Sequence, residues 1–376
     1  MTAAFTFPGQ GSQAVGMGKA LAEAFPAART VFEEVDAALG EKLTATIWEG
    51  PAETLQLTEN AQPALMAVSI ATLRVLETEA GFSVGRDAAF VAGHSLGEKL
   101  TTIIWDGPAE TLQLTENAQP ALMAVSLATL RVLETEAGFS VGRDAAFVAG
   151  HSLGEYSALA AAGSLSISDT ARLLRTRGLA MQKAVPVGAG AMAALLGLDY
   201  EAAMAVASEA AQGQVCQAAN DNGGGQVVVS GDKAAVERAL EIAKTRGARR
   251  AMLLPVSAPF HCKLMQPAAD AMAKALAEIT IKAPASPLVS NVLAAPISDP
   301  DEIRRRLIEQ VTGTVRWRES VAYMAAHGVT RFFEIGAGKV LSGLVKRIAD
   351  GAVGVSVGGP NDIATAKDAL AAAQTV

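Results

Sequence analysis

The chain has little of what would place it outside the cell or in a membrane. Its 376 residues include only two cysteines, Cys216 and Cys262. Two are too few for a disulfide framework and point to a reducing compartment. No uninterrupted apolar run reaches the roughly 18 residues of a membrane span, and no basic stretch leading into a hydrophobic one opens the sequence. Positive charge is short as well: the formal net charge of −7 argues against a general nucleic-acid binder. A cytoplasmic location is expected. The basic cluster Lys244, Arg246, Arg249, Arg250 reads as a solvated helix end, with an acidic partner as the alternative.

Half of the residues are hydrophobic, with alanine and glycine plentiful, which suits α/β layers in close contact and a large core. The length suggests about two or three domains. Part of it is repetition. Lys42–Glu98 and Lys99–Glu155 are each 57 residues long and align without a gap, differing only at Ala45/Thr102, Thr46/Ile103, Glu49/Asp106 and Ile70/Leu127. Leu-Gly-Glu occurs at 39–41, 96–98 and 153–155, so recombination through that tripeptide would produce the arrangement. One copy is expected to enter the core and the other to be extruded. The join is open: 1–41 followed by 99–376 is one route, and a crossing in the loop at Gly81–Asp87 is another.

Within each copy a proline (Pro63, Pro120) and a glycine (Gly81, Gly138) bracket one helix. Leu65, Val68, Leu73 and Leu76 recur in it at roughly helical spacing. A short apolar strand follows, Ala88–Ala92 or Ala145–Ala149, without the alternation of a half-exposed sheet. The chain itself starts on a strand, Ala4–Phe7, that stops at the glycine turn Pro8–Gln13. From 188 to 254 the pattern is strand 191–198, helix 200–211, strands 214–219 and 226–230, helix 234–245 and strand 250–256. That order is β-α-β-β-α-β. The expected fold is α/β: a parallel-sheet, hydrolase-like core over 1–187 and 255–376, with an inserted ferredoxin-like small domain at 188–254. Strands near 288–291 and at 331–335 return to the core.

Each apolar strand of the repeat runs into Gly-His-Ser-Leu-Gly, a G-x-S-x-G pattern. Directly after a buried strand, such a turn lifts a serine hydroxyl out of the sheet for nucleophilic attack. Two serines compete, Ser95 and Ser152. The alanine-rich stretch after Ser152, ending at Gly163, continues as a helix, whereas Leu100–Ile104 after Ser95 is β-branched and weakens one. Ser152 is therefore the expected nucleophile. A base must come from four histidines. His151 precedes the nucleophile on the strand and should point away from it, His94 is its duplicate, and His327 falls at a helix end near the surface. Elimination leaves His261. Gly336-Ala337-Gly338-Lys339 lacks P-loop spacing and reads as a strand-to-helix turn.

Taken in order, several motifs resemble the malonyl-CoA:acyl carrier protein transacylases of fatty acid synthesis. They are Phe7–Gln13, Gly150–Leu159, Arg177-Gly178, Gly190–Ala194, Pro255–Cys262, Val315-Arg316-Trp317 and Glu334–Leu341. The resemblance implies transfer of malonyl from coenzyme A to the phosphopantetheine thiol of acyl carrier protein through a malonyl-serine. Ser152 would be that serine, and His261 its general base and acid. Backbone N–H groups of Gln10 and Leu153 would hold the oxyanion, Arg177 would clamp the malonyl carboxylate, and the Gln310 carbonyl would orient His261. Val311–Thr314 departs from the usual pattern around that glutamine. Phe260 before His261 resembles malonyl-selective domains of polyketide synthases. Malonyl-CoA is expected as substrate, with no permanently bound cofactor and no metal. The partner is acyl carrier protein, and the chain is expected as a monomer or, through the duplicated segment, an exchanged dimer. The alternatives are a serine (thio)esterase of α/β-hydrolase type and a catalytically compromised duplication product.

Overall fold

The structure is a computed structural model and describes residues 3–7, 15–16, 19–24, 48, 115–256 and 258–374. Gln10, Ser95 and all of the first repeat copy except Trp48 lie outside them, and so does the expected extrusion of that copy.

Ten strands are described. They are β1 (Ala3–Phe7), β2 (Phe147–Gly150), β3 (Gly190–Leu196), β4 (Cys216–Asp221), β5 (Gln226–Asp232), β6 (Arg250–Leu253), β7 (Leu288–Val289), β8 (Pro296–Ile297), β9 (Arg331–Ile335) and β10 (Val353–Val357). Six form one sheet in the order β10-β9-β1-β2-β7-β8. Every pair is parallel except β7 with β8. Successive side chains on these strands enter opposite cores. Val148, Leu288 and Phe333 join one cluster, while Ala149, Val289 and Phe332 join the other, all fully buried. Burial on both faces is why the strand sequences show no polar alternation.

The helix beside this sheet, Thr115–Ala137, comes from the second repeat copy, as does β2. Leu122, Val125, Leu130 and Leu133, equivalents of the four periodic residues of copy one, are all buried. Pro120 lies inside the helix and not near its start. Lacking an N–H, it cannot donate the usual helical bond to the residue four positions earlier. The Ile167–Ala184 helix crosses this one so closely that a Cβ on Gly178 would sit 2.0 Å from the Glu116 Cα, so only glycine fits there.

The other four strands form an antiparallel sheet, β4-β5-β3-β6. Two helices, Tyr200–Ala211 and Lys233–Thr245, pack on one face through a cluster with Ala193, Leu195, Val227 and Val229. Met192 and Val228, on the alternate positions, join the large core instead. The expected helices and strands of this segment are all present, shifted by a few residues at their ends. The largest change is β6, which ends at Leu253: Leu254 N–H still bonds the Met192 carbonyl in ladder register, and the chain then turns, with Val256 N–H bonding the Leu254 carbonyl at 2.9 Å. In the basic cluster, Lys244 pairs with Glu241 at 2.6 Å and Arg246 with Glu209, as a solvated helix end does. Gly336–Lys339 does connect β9 to the helix Val340–Ile348, whose first N–H groups, from Leu341 and Ser342, bond the buried Glu334 carboxylate at 3.0 and 2.7 Å. Among the described residues no helix is long and apolar enough to cross a membrane.

Candidate active site

β2 ends at Gly150, and the Gly154–Ala161 helix begins four residues later. The turn between them is tight enough that a Cβ on Gly150 would lie 2.0 Å from the Gly154 carbonyl carbon. Ser152 occupies this turn with φ of 53°, a left-handed conformation that costs an L-residue energy and is kept where function needs it. His261 also has positive φ, at 56°. Nothing in the sequence around Pro259-Phe260-His261 signalled that.

The two strained residues meet. Ser152 Oγ is 2.8 Å from His261 Nε2. On the far side of the ring, His261 Nδ1 lies 2.9 Å from the Gln310 carbonyl and 3.2 Å from the Gly313 carbonyl. A carbonyl can only accept, so the ring hydrogen sits on Nδ1 and leaves Nε2 free to take the serine proton. Burial pushes the His261 pKa down to about 3, with the nearby Arg177 charge acting in the same direction. The base is therefore neutral throughout the physiological range. We expect kcat/KM to show no inflection near pH 6.5 from this histidine, because its active form persists as pH falls to about 3. Burial holds Glu155 up at about 7, so a limb that disappears in Glu155→Gln is consistent with this expectation. An inflection at 6.5 that survives that substitution contradicts it.

Arg177 projects from the Ile167–Ala184 helix and is 1% exposed. Its Nη1 donates to Gln119 Oε1 at 2.5 Å, and its Nη2 donates to Gln310 Oε1 at 2.9 Å and to Ser152 Oγ at 3.1 Å. All three acceptors are neutral. A buried guanidinium held among neutral acceptors beside a nucleophile is a place where an anionic group gains a great deal from binding.

The expected site residues Ser152, His261, Arg177 and Gln310 are thus brought together. Leu153 follows the nucleophile at the helix start, and its N–H bonds no backbone carbonyl among the described residues. Gln10 lies outside them. His151 turns away, to Asn222 Oδ1 at 3.0 Å and an edge-on contact with Trp317, while exposed His327 stacks on Tyr323.

Three polar residues escaped the sequence reading. Gln119 steadies Arg177, and Asn291 accepts the Ser152 N–H at 2.7 Å. Glu155, fully buried, bonds the Asn291 N–H at 3.2 Å and receives the Gln310 side-chain amide. Glu155 left a trace, a charged residue inside the apolar run Leu153–Ala162, whereas nothing marks Asn291 or Gln119 locally. Among the described residues no group of three histidine, cysteine or acidic side chains is placed to hold a metal ion.

The acyl transferase domain family matches the chain twice, over residues 4–100 and 99–358, with the break at the junction of the two repeat copies. The malonyl CoA-acyl carrier protein transacylase of Escherichia coli (strain K12) is 41% identical over 363 residues, spanning 96% of this chain and 98% of the relative. That of Bacillus subtilis (strain 168) is 41% identical over 98% of this chain and 96% of its own. The crystal structure of an acyl-carrier-protein S-malonyltransferase from Bartonella henselae superposes with a TM-score of 0.79 at 49% identity, covering 99% of this chain and all of the other. A malonyl-transacylase solved in complex with a type II PKS acyl-carrier protein superposes at 0.77 with 36% identity, over 98% and 100% of the two chains.

Proposed function

The chain belongs to the malonyl-CoA:acyl carrier protein transacylases of the acyl transferase domain family, and from that premise we propose the following route. It is an acyltransferase that moves malonyl from coenzyme A to the phosphopantetheine thiol of acyl carrier protein, for fatty acid synthesis. The observation that carries the residue assignment is the joint approach of His261 Nε2 and Arg177 Nη2 to Ser152 Oγ, at 2.8 and 3.1 Å.

Ser152 Oγ attacks the thioester carbonyl while His261 Nε2 takes its proton. The tetrahedral oxyanion lies against the Leu153 N–H, with the Gln10 N–H as second donor. Collapse breaks the C–S bond, and His261 returns the proton to the departing coenzyme A thiol. The carrier thiol then gives its proton to His261 and attacks the malonyl ester; collapse breaks the ester C–O bond, and His261 returns the proton to Ser152 Oγ. Arg177 holds the free malonyl carboxylate throughout. Once Oγ has become an ester oxygen, the Nη2 hydrogen aimed at it is released to that carboxylate. Malonyl-CoA enters as substrate, and no cofactor is assigned.

In this reading the second repeat copy supplies the nucleophile. The six-stranded sheet serves as a hydrolase-like core, and residues 188–254 as an inserted ferredoxin-like unit. Nothing among the described residues supports the exchanged dimer. Intact-mass analysis after mixing with malonyl-CoA should show one malonyl adduct, discharged faster by holo carrier protein than by water. Discharge by water at the same rate would favour the thioesterase reading instead.

A further inference from the structure

We propose that Asn291 is a positioning residue that sets the strained turn carrying Ser152, by clipping its entry and its serine from the segment that follows β7. The inference rests on Ser152 being the nucleophile and goes beyond it. Asn291 follows β7, not the serine's own strand–turn–helix segment. Its side chain is fully buried and makes two bonds, both to the turn. Oδ1 accepts the Ser152 N–H at 2.7 Å, and Nδ2 donates to the Gly150 carbonyl at 2.7 Å. The partners fix which atom is which, since one is a donor and the other an acceptor.

The clip is itself held. The Asn291 N–H bonds Glu155 Oε1 at 3.2 Å, and its carbonyl accepts the Arg316 N–H at 2.9 Å. Gln310 closes the assembly from a third element, its side-chain amide donating to the Ser152 carbonyl at 2.9 Å. The left-handed Ser152 thus has both its N–H and its C=O tied to side chains distant in sequence. A strained residue persists only where its surroundings over-determine it in this way. Because Asn291 occupies the Ser152 N–H, that group is unavailable to an oxyanion, which leaves the role to the next N–H, of Leu153.

Only a primary amide of this length supplies one donor and one acceptor on a single plane. Aspartate keeps the shape and the acceptor but loses the donor when ionised. Asn291→Asp is the deciding variant, with Asn291→Ala beside it. Both are expected to lower the rate of malonyl-enzyme formation about 10²-fold, comparable to losing one oxyanion donor. The KM for malonyl-CoA should stay within about threefold, since Arg177 is untouched. A small serine-directed reagent without a carboxylate, phenylmethylsulfonyl fluoride, should label both variants correspondingly slowly. A folded Asn291→Asp protein that acylates within about threefold of the parent overturns the inference, as does a defect confined to KM. A parent that the sulfonyl fluoride fails to label at Ser152 would instead sink the nucleophile assignment.

Discussion

Ser152→Ala is expected to abolish the malonyl-enzyme adduct and to lower transfer by about 10⁴–10⁶-fold, the scale on which removal of an activated serine acts. Ser95→Ala is expected to leave both unchanged. The reason is the pairing of Ser152 with a base: Oγ and His261 Nε2 are 2.8 Å apart, and His261 is tied to main-chain carbonyls behind. Peptide mapping of the malonylated protein should place the adduct in the peptide holding Ser152, which differs from its duplicate because Glu155 is followed by Tyr156 and not by lysine. Label that persists in Ser152→Ala and is lost in Ser95→Ala would reverse the assignment of the two copies. No label in any protein would mean that the duplication has compromised the enzyme.

Arg177→Lys is expected to cut kcat/KM for malonyl-CoA by about 10²–10³-fold, the cost of breaking a buried, hydrogen-bonded charge pair. Acetyl-CoA, which has no free carboxylate, should be affected far less. The malonyl-to-acetyl preference, measured by competition, should therefore fall nearly as much as the malonyl rate. Lysine keeps the charge but not the fork. In the parent, Nη1 is anchored by Gln119 and Nη2 by Gln310, which aims the remaining N–H groups at the reacting end of the site. A single ammonium cannot meet both anchors and the ligand. An unchanged preference would remove Arg177 from the carboxylate site and leave it a buried structural cation.

Much of this arrangement is written locally. The helix Tyr200–Ala211 begins at Asp199, whose carboxylate accepts the Ala202 N–H at 2.8 Å, and ends before Gln212 and Gly213, both at positive φ. Its ends could therefore be read directly. The Ser152 turn was legible because a strand, a small-residue turn and a helix former follow one another within a dozen residues. What could not be read is whatever depends on distant segments meeting. Asn291 and Gln119 are unremarkable in their own neighbourhoods and become polar partners only when β7 and the Thr115–Ala137 helix arrive beside the turn. The positive φ of His261 belongs to the same class. Pro120 inside its helix is another case: burial of that helix on every side outweighs one missing hydrogen bond, and no local rule weighs those two terms.

The groups behind His261 are carbonyls of the peptide chain itself, at positions 310 and 313. A side-chain acid in that place would be one substitution away from loss. These acceptors remain whatever residue stands at either position, so a screen of point mutants read only for deletion of the histidine's partner would find none. Gln310 would still register in such a screen, through the amide that joins Arg177, Ser152 and Glu155. The geometry of the relay is thus inherited with the backbone path and is insulated from drift in the side chains that decorate it.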